Sequence, residues 1–166
     1  MTTIGTLSKD AFMFPAETFS RGTQRLDPWY VTGFVEGEGA FTFSRSGKQM
    51  AMYFAIKLTG ADKAILEDIR TFFGVGAIYR VVARAAPTPA SGHTKEAAYF
   101  RVSRRDDLER VLEHFDSYPL RGIKARSYDI WRQMVVLKRE FRKPQREQLE
   151  QLAAELSAAS PRTGKT

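Results

Sequence analysis

The sequence predicts an α+β fold with the element order αββαββα, followed by further C-terminal helices. Three observations predict it. Stretches with a two-residue hydrophobic alternation come in neighbouring pairs parted by turn residues, as in Ala40 to Arg45 and Gln49 to Lys57. Stretches with apolar residues three and four apart stand before, between and after those pairs. Gly and Pro punctuate the changes of period.

Residues 1–26 carry no strong period and read as an irregular leader. Asp27-Pro28 suits a helix start, with Asp as N-cap and Pro at the first helical position. The helix then covers about 28–38. Gly33 and Gly37 are four apart, so they share one face and leave it nearly flat for another backbone to approach. Gly39 is expected to end the helix in the left-handed conformation. Glu38 then sits at the helix C-terminus, where the dipole disfavours an anion. Each glycine inside a helix costs about 1 kcal/mol relative to Ala. A segment that sacrifices local stability in this way reads as a site rather than a strut.

The first strand puts Phe41 and Phe43 on one face and Thr42 and Ser44 on the other. Ser46-Gly47-Lys48 reads as a turn into the return strand. Asp62 is expected to cap a helix to Phe73, with Ile65, Leu66, Ile69 and Phe73 inward and Gly74 ending it. Residues 76–84 and 97–102 form a second strand pair, joined by the Pro/Ala/Ser/Gly-rich 85–95. Ser103-Arg104-Arg105-Asp106 resembles a capping box before a helix with Leu108, Val111, Leu112 and Phe115 inward. Tyr118 to Gly122 break the chain. A longer helix follows, its apolar positions Ile123, Ile130, Trp131, Met134, Val135 and Leu137. The last helix, about 145–158, is amphipathic through Leu149, Leu152 and Leu156. One domain therefore spans 27–158, and 159–166 read as a flexible tail. The first helix pattern occurs once.

Composition bounds the function. At 166 residues and 43% hydrophobic content the chain suits one domain with a real core. There are no cysteines, which excludes disulfides and Cys-ligated zinc. His93 and His114 are the only histidines and read as packing or surface residues. No run of 18 apolar residues exists, so no membrane partner is expected. The N-terminus has no signal-like apolar core, which points to an intracellular location, cytoplasmic or nucleoid-associated, with a eukaryotic organelle also compatible. The net charge of +7 favours a polyanionic partner. The excess is concentrated: residues 101–146 hold 13 Lys/Arg against 7 Asp/Glu.

Val31-Thr32-Gly33-Phe34-Val35-Glu36-Gly37-Glu38-Gly39 aligns without a gap with the nine letters of the LAGLIDADG motif, and the chain resembles the homing endonucleases that carry it. The resemblance spans about 27–158. Weaker signatures are Phe54-Ala55-Ile56, Phe73-Gly74-Val75-Gly76-Ala77-Ile78, and Tyr118-Pro119-Leu120 followed by Lys124. It implies a half-domain whose four antiparallel strands form a DNA-binding saddle. It also implies a pairing of two motif helices through their small-residue faces. With one motif in the chain, the partner is a second copy, and the dimer interface falls on Val31, Gly33, Phe34 and Gly37.

The same resemblance makes Glu38 a catalytic metal ligand and gives the Gly37 carbonyl a place beside it. The metal implied is Mg²⁺ or Mn²⁺, which suits hard oxygen donors. Lys124 is cast as transition-state or water-network support, with Arg126 and Lys57 as weaker candidates. Glu36 reads as structural. One departure stands out: Leu58 occupies a position where many family members carry a glutamine. The implied activity is metal-dependent, staggered double-strand cleavage of a long, nearly palindromic DNA target by a homodimer. The alternatives are a DNA-binding regulator that has lost cleavage and an intron RNA maturase of the same fold, although no recognisable RNA module is present.

Strand alternation assigns the faces. With Phe41, Phe43, Phe54, Ile56, Phe100 and Val102 in the core, Thr42, Ser44, Ala51, Tyr53, Lys57, Tyr99 and Arg101 face DNA in the major groove. Arg101 suits a guanine, and Thr42 and Ser44 suit several bases. Strand 76–84 leaves the face open, since Tyr79 has one parity and Arg80 and Arg84 the other. Lys48, Arg104, Arg105, Arg139, Arg142 and Lys143 are candidate phosphate contacts.

Overall fold

The computed structural model describes residues 25–47, 49–59, 62–82, 96–140 and 146–160. Lys48, Arg84, His93, Arg142, Lys143, most of the expected leader and the tail beyond Ser160 lie outside the described residues. In chain order the elements are α1 (Pro28–Glu38), β1 (Gly39–Ser46), β2 (Gln49–Thr59), α2 (Lys63–Phe73), β3 (Ala77–Val81), β4 (Ala97–Val102), α3 (Leu108–Ser117), α4 (Ile123–Glu140) and α5 (Arg146–Ala159). The strands form one antiparallel sheet in the order β1-β2-β4-β3. This is the α+β architecture the sequence predicts.

Register follows from the first hairpin. Gly39 pairs with Ile56 and Ser46 with Gln49, so β2 runs three residues past the start of β1. Phe41, Met50, Met52, Phe54, Ile56, Phe100 and Val102 are buried on one face of the sheet. The helices cover that face. Phe41 packs at 5.3 Å from the rings of Phe54, Phe115 and Trp131 and at 5.1 Å from Tyr128, which joins β1 and β2 to α3 and α4. Fully burying side chains of this size contributes about 1.5–3 kcal/mol each. Trp131 also donates its indole N–H to the Thr42 carbonyl at 3.0 Å, satisfying an acceptor on the edge strand β1. Arg132 grips Asp116 through Nε and Nη2, tying α4 to α3. Leu149, Leu152, Ala153 and Leu156 bury the inner face of α5, which packs along α4.

Several local expectations are corrected. Gly39 is extended (φ −78°, ψ 156°), because the chain passes from α1 straight into β1. Glycine is needed there for room: an added Cβ would meet Val35 Cγ1 at 2.4 Å. Asp62 precedes α2 but its carboxylate accepts from the Thr59 hydroxyl (2.8 Å) rather than capping the helix. No capping box forms at 103–106; the chain turns through backbone bonds such as Leu108 N–H to Arg104 O (3.1 Å) and enters α3 at Leu108. Phe43 is only half-buried, with the Arg45 guanidinium over its ring at 5.3 Å. Ile123 opens α4 at 74% exposure, outside the core. Gly74, by contrast, ends α2 in the left-handed conformation (φ 70°), as expected.

Candidate functional site

The site grows from the two ends of α1. At the N-terminus, Asp27 Oδ1 accepts from the Trp29 and Tyr30 amides (2.8 and 3.2 Å) and so fixes where the helix begins. Val31 and Val35 point into the chain's own core at 0% exposure. This corrects Val31 as a pairing residue, since nothing outside the chain can touch it. The outward face carries Tyr30, Gly33, Phe34 and Gly37, the i, i+3, i+4, i+7 stripe of one helix face. A Cβ added at Gly33 or Gly37 would meet nothing within 4 Å, and Tyr30 stacks on Phe34 at 6.2 Å beside them. Next to this stripe lies a cleft of ≈ 240 Å³ lined by Trp29, Thr32, Gly33, Glu36, Pro119 and Arg121.

At the C-terminus, Glu36 accepts from the backbone amides of Arg121 (2.5 Å) and Gly122 (2.8 Å). A Cβ on Gly122 would come within 2.8 Å of the Glu36 carboxylate, so glycine permits this approach. The bonds anchor the connection into α4 and thereby place Lys124. The Lys124 ammonium donates to the carbonyls of Val35 (3.0 Å) and Gly37 (2.8 Å). Helix α1 has no basic residue in its own last turn, and Lys124 supplies the cation its dipole favours. Burial pushes the Lys124 pKa below the usual lysine value, against the opposing pull of Glu38 and Glu36. The Glu38 carboxylate is exposed and accepts no hydrogen bond from the described residues.

Glu38 and the adjacent Gly37 carbonyl are hard oxygen donors of the type Mg²⁺ prefers. Among the described residues no group of three or more His, Cys, Asp or Glu could hold a metal ion. The Gly37 carbonyl carries the Lys124 ammonium. His114, read in the sequence as a packing or surface residue, is a packing residue, and it meets Thr32 in the middle of α1. The Thr32 hydroxyl donates to the Tyr118 carbonyl (3.0 Å) and lies 3.1 Å from His114 Nε2. His114 is buried among Phe72, Phe73, Phe115 and Tyr118, and desolvation lowers its pKa from 6.5 to about 4. No local pattern pairs positions 82 residues apart, so the sequence carried no signal for this contact.

The sheet face that no described helix covers carries most of the expected DNA-facing set. Thr42, Ser44, Tyr53, Lys57, Tyr99 and Arg101 share it by strand parity. Tyr79 joins them, since it pairs with Tyr99 and is 54% exposed. Arg80 does not: it pairs with Ala98, of core-facing parity, and forms an ion pair with Glu96 at 2.8 Å. Arg139 belongs to the helical layer, paired with Glu109 at 3.2 Å, and its carbonyl accepts from Arg105. Arg126 is exposed on α4 two residues beyond Lys124. Leu58 has the parity of the core and is half-buried against it, opposite Ala98. The Lys57 ammonium lies 5.4 Å from the Tyr99 ring centroid. The Arg101 guanidinium lies 3.8 Å from that of Tyr53, and its Nε is buried without a partner. An unpaired buried donor costs about 1–3 kcal/mol.

Comparison with known proteins agrees with this geometry. Residues 31–135 match the model of the LAGLIDADG endonuclease family. A 50.9 kDa uncharacterized protein in ND4 intron 1 of Podospora anserina is 34% identical over 131 residues, covering 74% of this chain and 26% of that protein. A probable intron-encoded endonuclease of Neurospora crassa is 30% identical over 112 residues, covering 64% of this chain and 19% of that protein. The chain therefore spans about a quarter or less of these relatives. The crystal structure of the LAGLIDADG meganuclease I-AabMI bound to uncleaved DNA superposes with a TM-score of 0.64 at 26% identity, over 78% of this chain and 44% of that one. The family match begins at Val31, inside the helix that ends at Glu38, and covers most of the chain, which belongs to the LAGLIDADG endonuclease family.

Proposed function

We propose that this chain is a site-specific double-strand DNA endonuclease that hydrolyses phosphodiesters with Mg²⁺ or Mn²⁺, acting as a homodimer on a long, nearly palindromic target. The observation that carries the reading is the exposed Glu38 carboxylate, which accepts no hydrogen bond from the described residues, at the end of a helix where, among those residues, a Cβ added at Gly33 or Gly37 would meet nothing within 4 Å. Two chains meeting along Tyr30, Gly33, Phe34 and Gly37 would bring two Glu38 carboxylates and two Gly37 carbonyls to one axis. That doubles the oxygen donors that one chain supplies only in half. It also doubles the uncovered sheet face, and twofold symmetry then calls for a target with matching halves.

A metal held there supplies an acidified water and stabilises the leaving oxygen. The residues of this chain do the rest. Glu38 would hold the ion, and the Gly37 carbonyl would share that task once the Lys124 ammonium it now accepts from turns to the phosphate. Lys124 brings positive charge to the phosphate that accumulates negative charge. Glu36 keeps Lys124 in place through the Arg121 and Gly122 amides. Thr42, Ser44, Tyr53, Lys57, Tyr79, Tyr99 and Arg101 meet the groove, while Arg126 and the net charge of +7 favour the phosphates. The DNA-bound state of I-AabMI supports the choice of partner.

The test is selection of cleaved duplexes from a randomised DNA library with Mg²⁺, run with wild type and Glu38→Gln. Recovery of one near-palindromic sequence, cut by wild type alone, is the expected result. Duplexes that both proteins bind and neither cuts would instead support a DNA-binding regulator without nuclease activity. Leu58, apolar and packed against the core, is the observation that favours that second reading.

A further inference from the structure

We propose that Tyr53 and Arg101 act as one pre-oriented unit that reads a guanine in the part of each half-site nearer the cut. This rests on the DNA-endonuclease reading above. The row of the sheet that holds Arg101 runs Ala40, Ala55, Arg101, Ala77 across all four strands. Three of its four side chains are single methyl groups, so the row is a shallow lane with one long cation in it. The next row on the same face, Lys57, Tyr99 and Tyr79, is tall. The guanidinium leans from this row towards Tyr53 in the neighbouring one, so a base edge over the alanines meets it from the side.

The guanidinium is not free to wander. It leans diagonally across β2 onto the Tyr53 ring, 3.8 Å from the centroid, and its Nε is shut away from solvent without an acceptor. The donors left to a ligand are the terminal Nη1 and Nη2 groups, a planar fork that matches guanine O6 and N7. A surface arginine serving solubility would not keep Nε buried and unsatisfied. A rigid stack also lowers the ordering cost of recognition, since the side chain is already placed. The lane opens at Ala40, two residues beyond Glu38, which puts the guanine on the inner side of the half-site.

The experiment is selection of bound duplexes from a randomised library in Ca²⁺ with wild type, Arg101→Gln, Tyr53→Leu and Tyr53→Phe. Wild type should enrich a sequence with one strongly preferred guanine per half-site. Arg101→Gln should lower discrimination at that position by about tenfold to a hundredfold and leave the others unchanged. Tyr53→Leu should weaken the same position, and Tyr53→Phe, which keeps the ring, should restore it. An unchanged sequence with Arg101→Gln overturns the inference while leaving the endonuclease reading intact. A uniform loss across all sequences, with a shallower salt dependence, makes Arg101 a phosphate contact and likewise overturns it. Failure of wild type to enrich any sequence overturns both.

Discussion

Thr32 O–H donates to the Tyr118 carbonyl, so its oxygen is left to accept from His114 Nε2–H. Protonation is opposed by burial, which sets the folded pKa at about 4 against 6.5 for the free side chain. The unfolded chain therefore binds this proton first. Stability from His114 is complete above pH 6.5, falls as pH drops towards 4, and levels below it. The loss is about 3–4 kcal/mol at most, from the fall of 6.5 to about 4 at about 1.36 kcal/mol per pH unit. Urea midpoints at pH 7.5, 5.5 and 4 should show this fall in wild type and less of it in His114→Gln; parallel profiles would refute it. Gly39→Ala should cost about 1–3 kcal/mol, because its methyl would overlap Val35, and a chemical melt reads it directly. At this scale the sequence displayed Glu38 and the two outward glycines because each is locally costly. It displayed Gly39 too, but for the wrong reason: the restriction is space against Val35, which becomes visible only when helix and strand are joined.

Helix α1 ends badly by its own composition. Glu36 and Glu38 lie in its last turn and no base does, so the cation comes from α4, as the Lys124 ammonium on the Val35 and Gly37 carbonyls. Lys124→Met should therefore destabilise the free chain by about 1–2 kcal/mol without DNA or metal present. Thermal melting of Lys124→Met and Lys124→Arg separates the cases: partial recovery with Arg fits capping, whereas wild-type stability in Met sinks it. The elements themselves were largely legible. Strand alternation identified both hairpins, and Gly74 marked the end of α2. The capping box at 103–106 failed because short-range side-chain patterns compete with backbone turns that form equally well, as at Arg104 to Leu108. The face of β3 could not be read because Tyr79 and Arg80 are equally plausible outside; only pairing with Tyr99 on β4 decides it.

At the scale of the whole molecule, three surfaces matter to the proposed function. Among the described residues, no helix covers one face of the sheet, Glu38 accepts no hydrogen bond and nothing lies against Gly33 or Gly37, while the opposite face of the sheet is closed by helices. If the sheet face meets DNA phosphates, log Kd should rise linearly with log salt, by about 0.9 per phosphate neutralised on duplex DNA. Filter binding across several salt concentrations checks this, and a flat line rejects it. The seam makes the sharper prediction. Gly33 and Gly37 sit in the interior of α1 with nothing within 4 Å of an added Cβ. In the unpaired chain, Ala at both positions should raise stability, by up to about 1 kcal/mol each, since glycine is the poorer helix former. In the pair, the same methyl groups would stand between two closely approaching backbones and weaken association. Gly33→Ala with Gly37→Ala should thus melt higher at concentrations too low for pairing and yet shift towards monomer in sedimentation equilibrium. A higher melt with unchanged association would move the pairing surface elsewhere. A lower melt would mean that the face is filled within the chain itself. Opposite signs in the two measurements are what a helix kept weak for the sake of its partner requires.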